Sequence, residues 1–129
     1  MAFPRPGLLV QRLEESVSLP VHHPGTGVYD LFAPTDFTVY AGGCTLLYSN
    51  LSVRVPVGYV GHISSCQPLV TGHGVYAVAD RVPCNLEAEL KILLCNTSCH
   101  TYRGHKGDPV ARLVLQGTDY PPVVEITEL

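Results

Sequence analysis

The stretch Leu51-Ser52-Val53-Arg54-Val55-Pro56-Val57-Gly58-Tyr59 decides the fold. Leu51, Val53 and Val55 alternate with Ser52 and Arg54, the period of two expected of a strand with one buried and one wet face. Pro56 brings no N–H to a ladder and Val57-Gly58 supplies a turn, so the strand stops there. A neighbouring strand, Tyr59 to Ser64, is expected to follow at once.

Outward from this pair, further apolar runs at Leu8 to Leu13, Val28 to Phe32, Thr45 to Tyr48, Glu89 to Cys95 and Val110 to Leu115 read as short strands. The 11 prolines and 12 glycines punctuate the whole chain rather than gathering in a linker. No amphipathic helix, internal repeat or low-complexity tract is visible. Many short strands at close spacing predict an all-β sandwich or barrel. With 129 residues there is room for one domain with a respectable core.

Composition narrows the function classes. At 46% hydrophobic and 15% charged residues the chain is too apolar for disorder. A net charge of -3 without a Lys/Arg cluster argues against nucleic acid as a partner. No apolar run approaches the roughly 20 residues that cross a bilayer, so no transmembrane segment is expected. Residues Met1 to Gly7 hold two prolines and no apolar core, unlike a secretory signal, so an intracellular location is expected. Five irregularly spaced cysteines argue against a disulfide framework.

Cys95, Cys99, His100 and His105 are the residues most inviting to a metal, but their spacing suits no paired knuckle, and no metal site is expected. His22-His23, between Pro20 and Pro24, reads as an exposed loop. No serine lies in a Gly-x-Ser-x-Gly elbow and no cysteines form a Cys-x-x-Cys pair.

Gly107-Asp108-Pro109-Val110-Ala111-Arg112-Leu113, taken with Val28-Tyr29-Asp30-Leu31-Phe32 and Val55-Pro56-Val57-Gly58-Tyr59-Val60-Gly61, resembles the homotrimeric dUTP diphosphatases from about Leu8 onward. That resemblance implies a jelly-roll-type β domain over residues 8–122, between an N-terminal tail (1–7) and a C-terminal tail (123–129). It also implies homotrimers. Asp30 fills the aspartate position of the first motif. In the second, where Pro-Arg-Ser-Gly is expected, the chain has Ser65-Cys66-Gln67-Pro68.

Counting without gaps back from Asn96, Pro83 and Leu86 fall where the resemblance implies a water-activating aspartate and a base-stacking tyrosine. Proline cannot act as a general base. The fourth motif keeps Gly107-Asp108 but has Pro109 for arginine and Arg112 for glutamine, and no glycine-rich fifth motif is seen. These departures imply a vestigial nucleotide site at Asp30, Gln67, Asp80 and Asp108, without catalytic residues or cofactor.

A degraded scaffold of this length resembles the family of adenoviral early region 4 proteins encoded by the first open reading frame. Ile126-Thr127-Glu128-Leu129 matches their PDZ ligands, with Thr127 and Leu129 in the Ser/Thr-x-hydrophobic positions. The resemblance implies an adaptor in the host cytoplasm or nucleus, recruiting PDZ-domain scaffolds and promoting phosphoinositide 3-kinase signalling. The competing expectation is an active dUTP diphosphatase using magnesium, with Asp30 and Asp108 and with Asp80 or Asn85 near the replaced base.

Overall fold

In the computed structural model, which describes residues 7–117 and 121–128, two antiparallel sheets enclose one core. The four-stranded sheet has the order β1 (Leu9–Arg12), β5 (Cys44–Arg54), β9 (Glu87–Asn96), β7 (Val75–Ala77). The five-stranded sheet has the order β2 (Val21–His22), β3 (Val28–Phe32), β11 (Pro109–Gly117), β6 (Tyr59–Ser65), β8 (Asp80–Val82). A ribbon of β4 (Phe37–Val39) and β10 (Tyr102–Gly104) closes one end. The all-β jelly-roll expectation holds.

Alternation drives the sandwich. Leu47, Val53, Leu90, Ile92 and Leu94 of the four-stranded sheet meet Leu31, Ile63, Val82, Ala111 and Leu113 of the other, all buried. Their side chains leave each strand on one face because successive residues point to opposite sides. The expected strands at 45–48 and 51–56 are one long strand, β5, interrupted by a bulge between Tyr48 and Ser52. Asn50, at φ 58°, makes that irregularity possible, since asparagine tolerates the left-handed region.

Three expectations change. Tyr59 to Ser64 follows β5 in sequence but does not pair with it: the Pro56–Tyr59 turn, with Gly58 at φ 94°, carries the chain from one sheet to the other. A short helix, α1 (Gln67–His73), was not foreseen; Pro68 near its start and Gly74 in the left-handed C-cap confine it to seven residues, too short for a helical period to register. Finally, Cys44 and Cys95 stand opposite one another on β5 and β9 and form a disulfide, a partnership of register that sequence spacing does not reveal.

Two polar groups tie the layers together. The Ser65 hydroxyl donates to the Ala77 carbonyl and accepts from the Ala77 N–H, joining β6 to β7. Buried Asn96 donates to the carbonyls of Val39 and His100 and accepts from Ser98, which shapes the loop before β10. Both satisfy groups that would be expensive to bury unpaired.

Candidate functional site

The topology collects the sequence-predicted residues at one end of the five-stranded sheet. Strands β3 and β6 finish there and β11 and β8 begin there, since each runs antiparallel to its neighbour. Asp30 pairs with Arg112, and Arg112 with Ser64, in one row across β3, β11 and β6. Residues directly opposite in antiparallel strands share a face. Leu31, Leu113 and Ile63, one step along each strand, are buried, so the row of Asp30, Arg112 and Ser64 faces solvent.

Asp30 is the best-placed carboxylate of this end, half-buried and held from two sides. Its Oδ2 lies 2.7 Å from His23 Nε2, and because a carboxylate only accepts, the imidazole donates. Its Oδ1 lies 3.5 Å from Arg112 Nε. That Nε is shielded from water yet makes no hydrogen bond among the described residues.

His23 is presented by a fixed hairpin. Its N–H donates to the Val28 carbonyl, and Thr26 Oγ1 donates to the His23 carbonyl while accepting from the Val28 N–H. Gly25 takes φ 78° at the bend, where a side chain would be strained. The exposed loop expected at His22-His23 is thus a hydrogen-bonded turn that holds His23 half-exposed beside Asp30.

The remaining candidates differ in kind. Gln67 is exposed at the first position of α1. Asp80 opens β8 opposite Ile63, so it leaves the sheet on the face opposite to Asp30, exposed at the edge, with Oδ1 accepting from the Arg81 N–H. Asp108 holds a turn: its Oδ2 accepts from the His105 N–H, while Asp36 accepts from the Lys106 N–H. Burial, then Asp108, then Cys66 raise the hydroxyl pKa of neighbouring Tyr102 above its ordinary value.

The segment counted back from Asn96 changes sheets along its length. β7 pairs with β9 through Val75–Asn96 and Ala77–Leu94, and the chain then departs to form β8 in the other sheet before returning at Glu87. Asp80 is the carboxylate inside that excursion, while Pro83 and Leu86 follow β8.

The expected PDZ ligand falls on the C-terminal segment. Ile126, Thr127 and Glu128 are exposed, and Leu129 lies outside the described residues. No group of three or more His, Cys, Asp or Glu positioned for a metal occurs among the described residues. Sequence reasoning missed His23 and Arg112 as partners of Asp30. The signal for the first was the Pro24-Gly25-Thr26 turn before the strand, and for the second only the long-range register could reveal it.

Known proteins extend the picture. The dUTPase family description matches residues 14–129. The chain is 33% identical over 123 residues to the deoxyuridine 5'-triphosphate nucleotidohydrolase of Paramecium bursaria Chlorella virus 1, covering 95% of this chain and 87% of that protein. It is 32% identical over 110 residues to the enzyme of the same name from Saccharomyces cerevisiae, covering 84% and 75%. Among solved structures, a mutant dUTPase from phage phi11 of S. aureus superposes with a TM-score of 0.80 at 19% identity, covering 95% of this chain and 98% of that one. That structure is described as revealing the coordination of a structural Mg(II) ion.

These relatives overturn the expectation of a catalytically inactive adaptor that binds PDZ domains and recruits phosphoinositide 3-kinase. They are named as nucleotidohydrolases, none as an adaptor. The expectation of no enzyme activity, which rested on Cys66, Gln67, Pro83 and Leu86 in place of motif residues, fails with it. The expectation of no cofactor is corrected likewise, since a structure of the same fold is described with Mg(II).

Proposed function

The chain belongs to the dUTPase family, and from that premise we propose that it is a dUTP nucleotidohydrolase, releasing dUMP and pyrophosphate from dUTP. The observation that carries the reading is a likeness spanning 95% of the chain to an enzyme of that name at 33% identity. The Asp30 cluster is the chemistry that fits it.

Magnesium suits the donor set. This ion keeps most of its waters and binds through one or two carboxylates together with substrate phosphates, so a single well-held carboxylate suffices. Asp30 would hold it, with His23 fixing the carboxylate plane. When bound, the ion neutralises charge developing on the phosphates. Exposed Asp80, the carboxylate of the β8 excursion, is the group we assign to taking a proton from the attacking water. Asp108 keeps its place as the acceptor that shapes the 105–108 turn.

Self-association belongs to the same proposal. Asp30 and Asp80 leave the sheet on opposite faces, so a nucleotide held between copies would meet Asp30 of one and Asp80 of another. A trimer is the assembly we infer, read by light scattering as a mass three times that of the chain. The narrower placement beside the adenoviral proteins rests on the likeness of Leu51–Tyr59, Pro109-Val110, Pro121-Pro122-Val123 and the Thr127-Glu128-Leu129 ending.

The deciding experiment is pyrophosphate release from dUTP with Mg(II), compared with dCTP, dTTP and UTP. Release from dUTP, lost in Asp80→Asn and Asp30→Asn, is the expected result. No release by the unaltered chain at ordinary enzyme concentrations would refute the reading.

A further inference from the structure

We infer that Arg112 is a phosphate-gripping residue of this chain, seated on the solvent face of the five-stranded sheet, and that its ligand is the polyphosphate chain of a nucleotide. The inference deepens the nucleotide reading above and rests on it for the identity of the ligand.

The first support is the state of the guanidinium. Its Nε is turned toward Asp30 Oδ1 at 3.5 Å and, though shielded from water, has no hydrogen-bond partner among the described residues. The side chain remains 38% exposed. A planar fork drawn to a carboxylate on its Nε side, on a side chain that still reaches solvent, can grip an anion through its terminal N–H donors. Asp30 thus serves to aim the fork, rather than to consume it.

The second support is the company on that face. Ser64 stands opposite Arg112 with an exposed hydroxyl. One row further along, Val114 pairs with His62 and His62 with exposed Arg81, which places a second guanidinium on the same surface. Arg112, Ser64, His62 and Arg81 therefore offer donors along a diagonal of β11, β6 and β8, with Asp30 the carboxylate set into this face at Arg112.

The third support is what the start of α1 lacks. Cys66 is a buried thiol and Gln67 is uncharged, so the segment after β6 brings no cation to a phosphate. A polyphosphate at this end of the sheet must find its positive charge elsewhere, and Arg112 is the cation that shares a row with Asp30. A metal ion held by Asp30 and a fork extended by Arg112 would then meet neighbouring oxygens of one phosphate chain.

The test is calorimetric titration of inorganic tripolyphosphate, without metal, into the full chain and its variants. Arg112→Met should weaken binding about tenfold to a hundredfold, the range for hydrogen bonds to charged groups. Arg112→Lys should restore part of that loss, since it keeps the charge without the fork. Arg54→Gln, on the other sheet, is the charge control and should change nothing. Equal binding by the unaltered chain and Arg112→Met, or no binding by either, overturns the inference, with thermal melts showing that each variant is folded.

Hydrolysis separates the two claims. If dUTP is not hydrolysed but tripolyphosphate binding depends on Arg112, the enzymatic reading falls and the phosphate site stands. If dUTP is hydrolysed and Arg112→Met leaves its KM unchanged, the phosphate site falls and the enzymatic reading stands.

Discussion

The two sheets use the same alternation for different ends. In the four-stranded sheet, β5 and β9 send Leu47, Val53, Leu90, Ile92 and Leu94 inward, and their outer face carries Leu46, Tyr48, Leu93 and the Cys44–Cys95 pair. Among its charges, Glu87 accepts from the Ser52 hydroxyl and Lys91 rests 5.6 Å from the Tyr48 ring centroid. In the five-stranded sheet the inward residues are just as apolar, but the outward row gathers Asp30, Arg112 and Ser64 with His23 behind them. One sheet mainly supplies cohesion, and the other supplies cohesion and a site.

The largest test of that contrast is Ile92→Ala. Ile92 is fully buried on the four-stranded sheet, and truncating it should cost about 2–5 kcal/mol of stability through lost burial and a residual cavity. A urea titration followed by fluorescence of the tyrosines measures it. The KM for dUTP of the molecules that remain folded should not change. A changed KM would mean that the two sheets are not separable in this way.

Legibility followed the same division. The alternation of Leu51, Val53 and Val55, and the Val28–Phe32 strand, could be read directly because each depends on neighbours within a few residues. The Cys44–Cys95 bond, the β8 excursion and the Asp30–Arg112 pairing could not, since each depends on register between strands distant in sequence. Asp30 was identified from its motif, whereas Arg112 registered only as a departure from that motif, and His23 was assigned to a loop because Pro20 and Pro24 outweighed the hairpin chemistry of Thr26. The one helix escaped because proline and glycine confine it to seven residues.

A middle-sized effect is expected at His23. His23→Ala removes the donor that fixes the Asp30 carboxylate, and a small displacement of a positioning group lowers kcat/KM for dUTP about tenfold to a hundredfold. Stability should fall by no more than about 1 kcal/mol, as for other partly exposed pairs. His23→Gln, which keeps a donor, should recover part of the activity. If activity instead tracks stability across the three proteins, His23 is only a hairpin residue and the contrast between the sheets weakens.

The smallest effect concerns Tyr102, on the ribbon beside the Asp108 turn. Burial, followed by Asp108 and Cys66, raises its pKa above the ordinary 10.0. The folded state therefore holds this proton more tightly than the unfolded state does. The resulting stability is fully present below pH 10.0 and is lost as pH rises through the folded value. Tyr102→Phe has no proton to release, so between about pH 9 and about pH 11 its urea midpoint should fall less steeply than that of the unaltered chain. Asp108→Asn removes one of the charges opposing ionisation and should move the descent to higher pH relative to the ordinary value by less, leaving a curve between the other two. Equal slopes in all three proteins would mean that neither burial nor Asp108 perturbs Tyr102, and the ribbon would then be uncoupled from the Asp108 turn at the end of the five-stranded sheet.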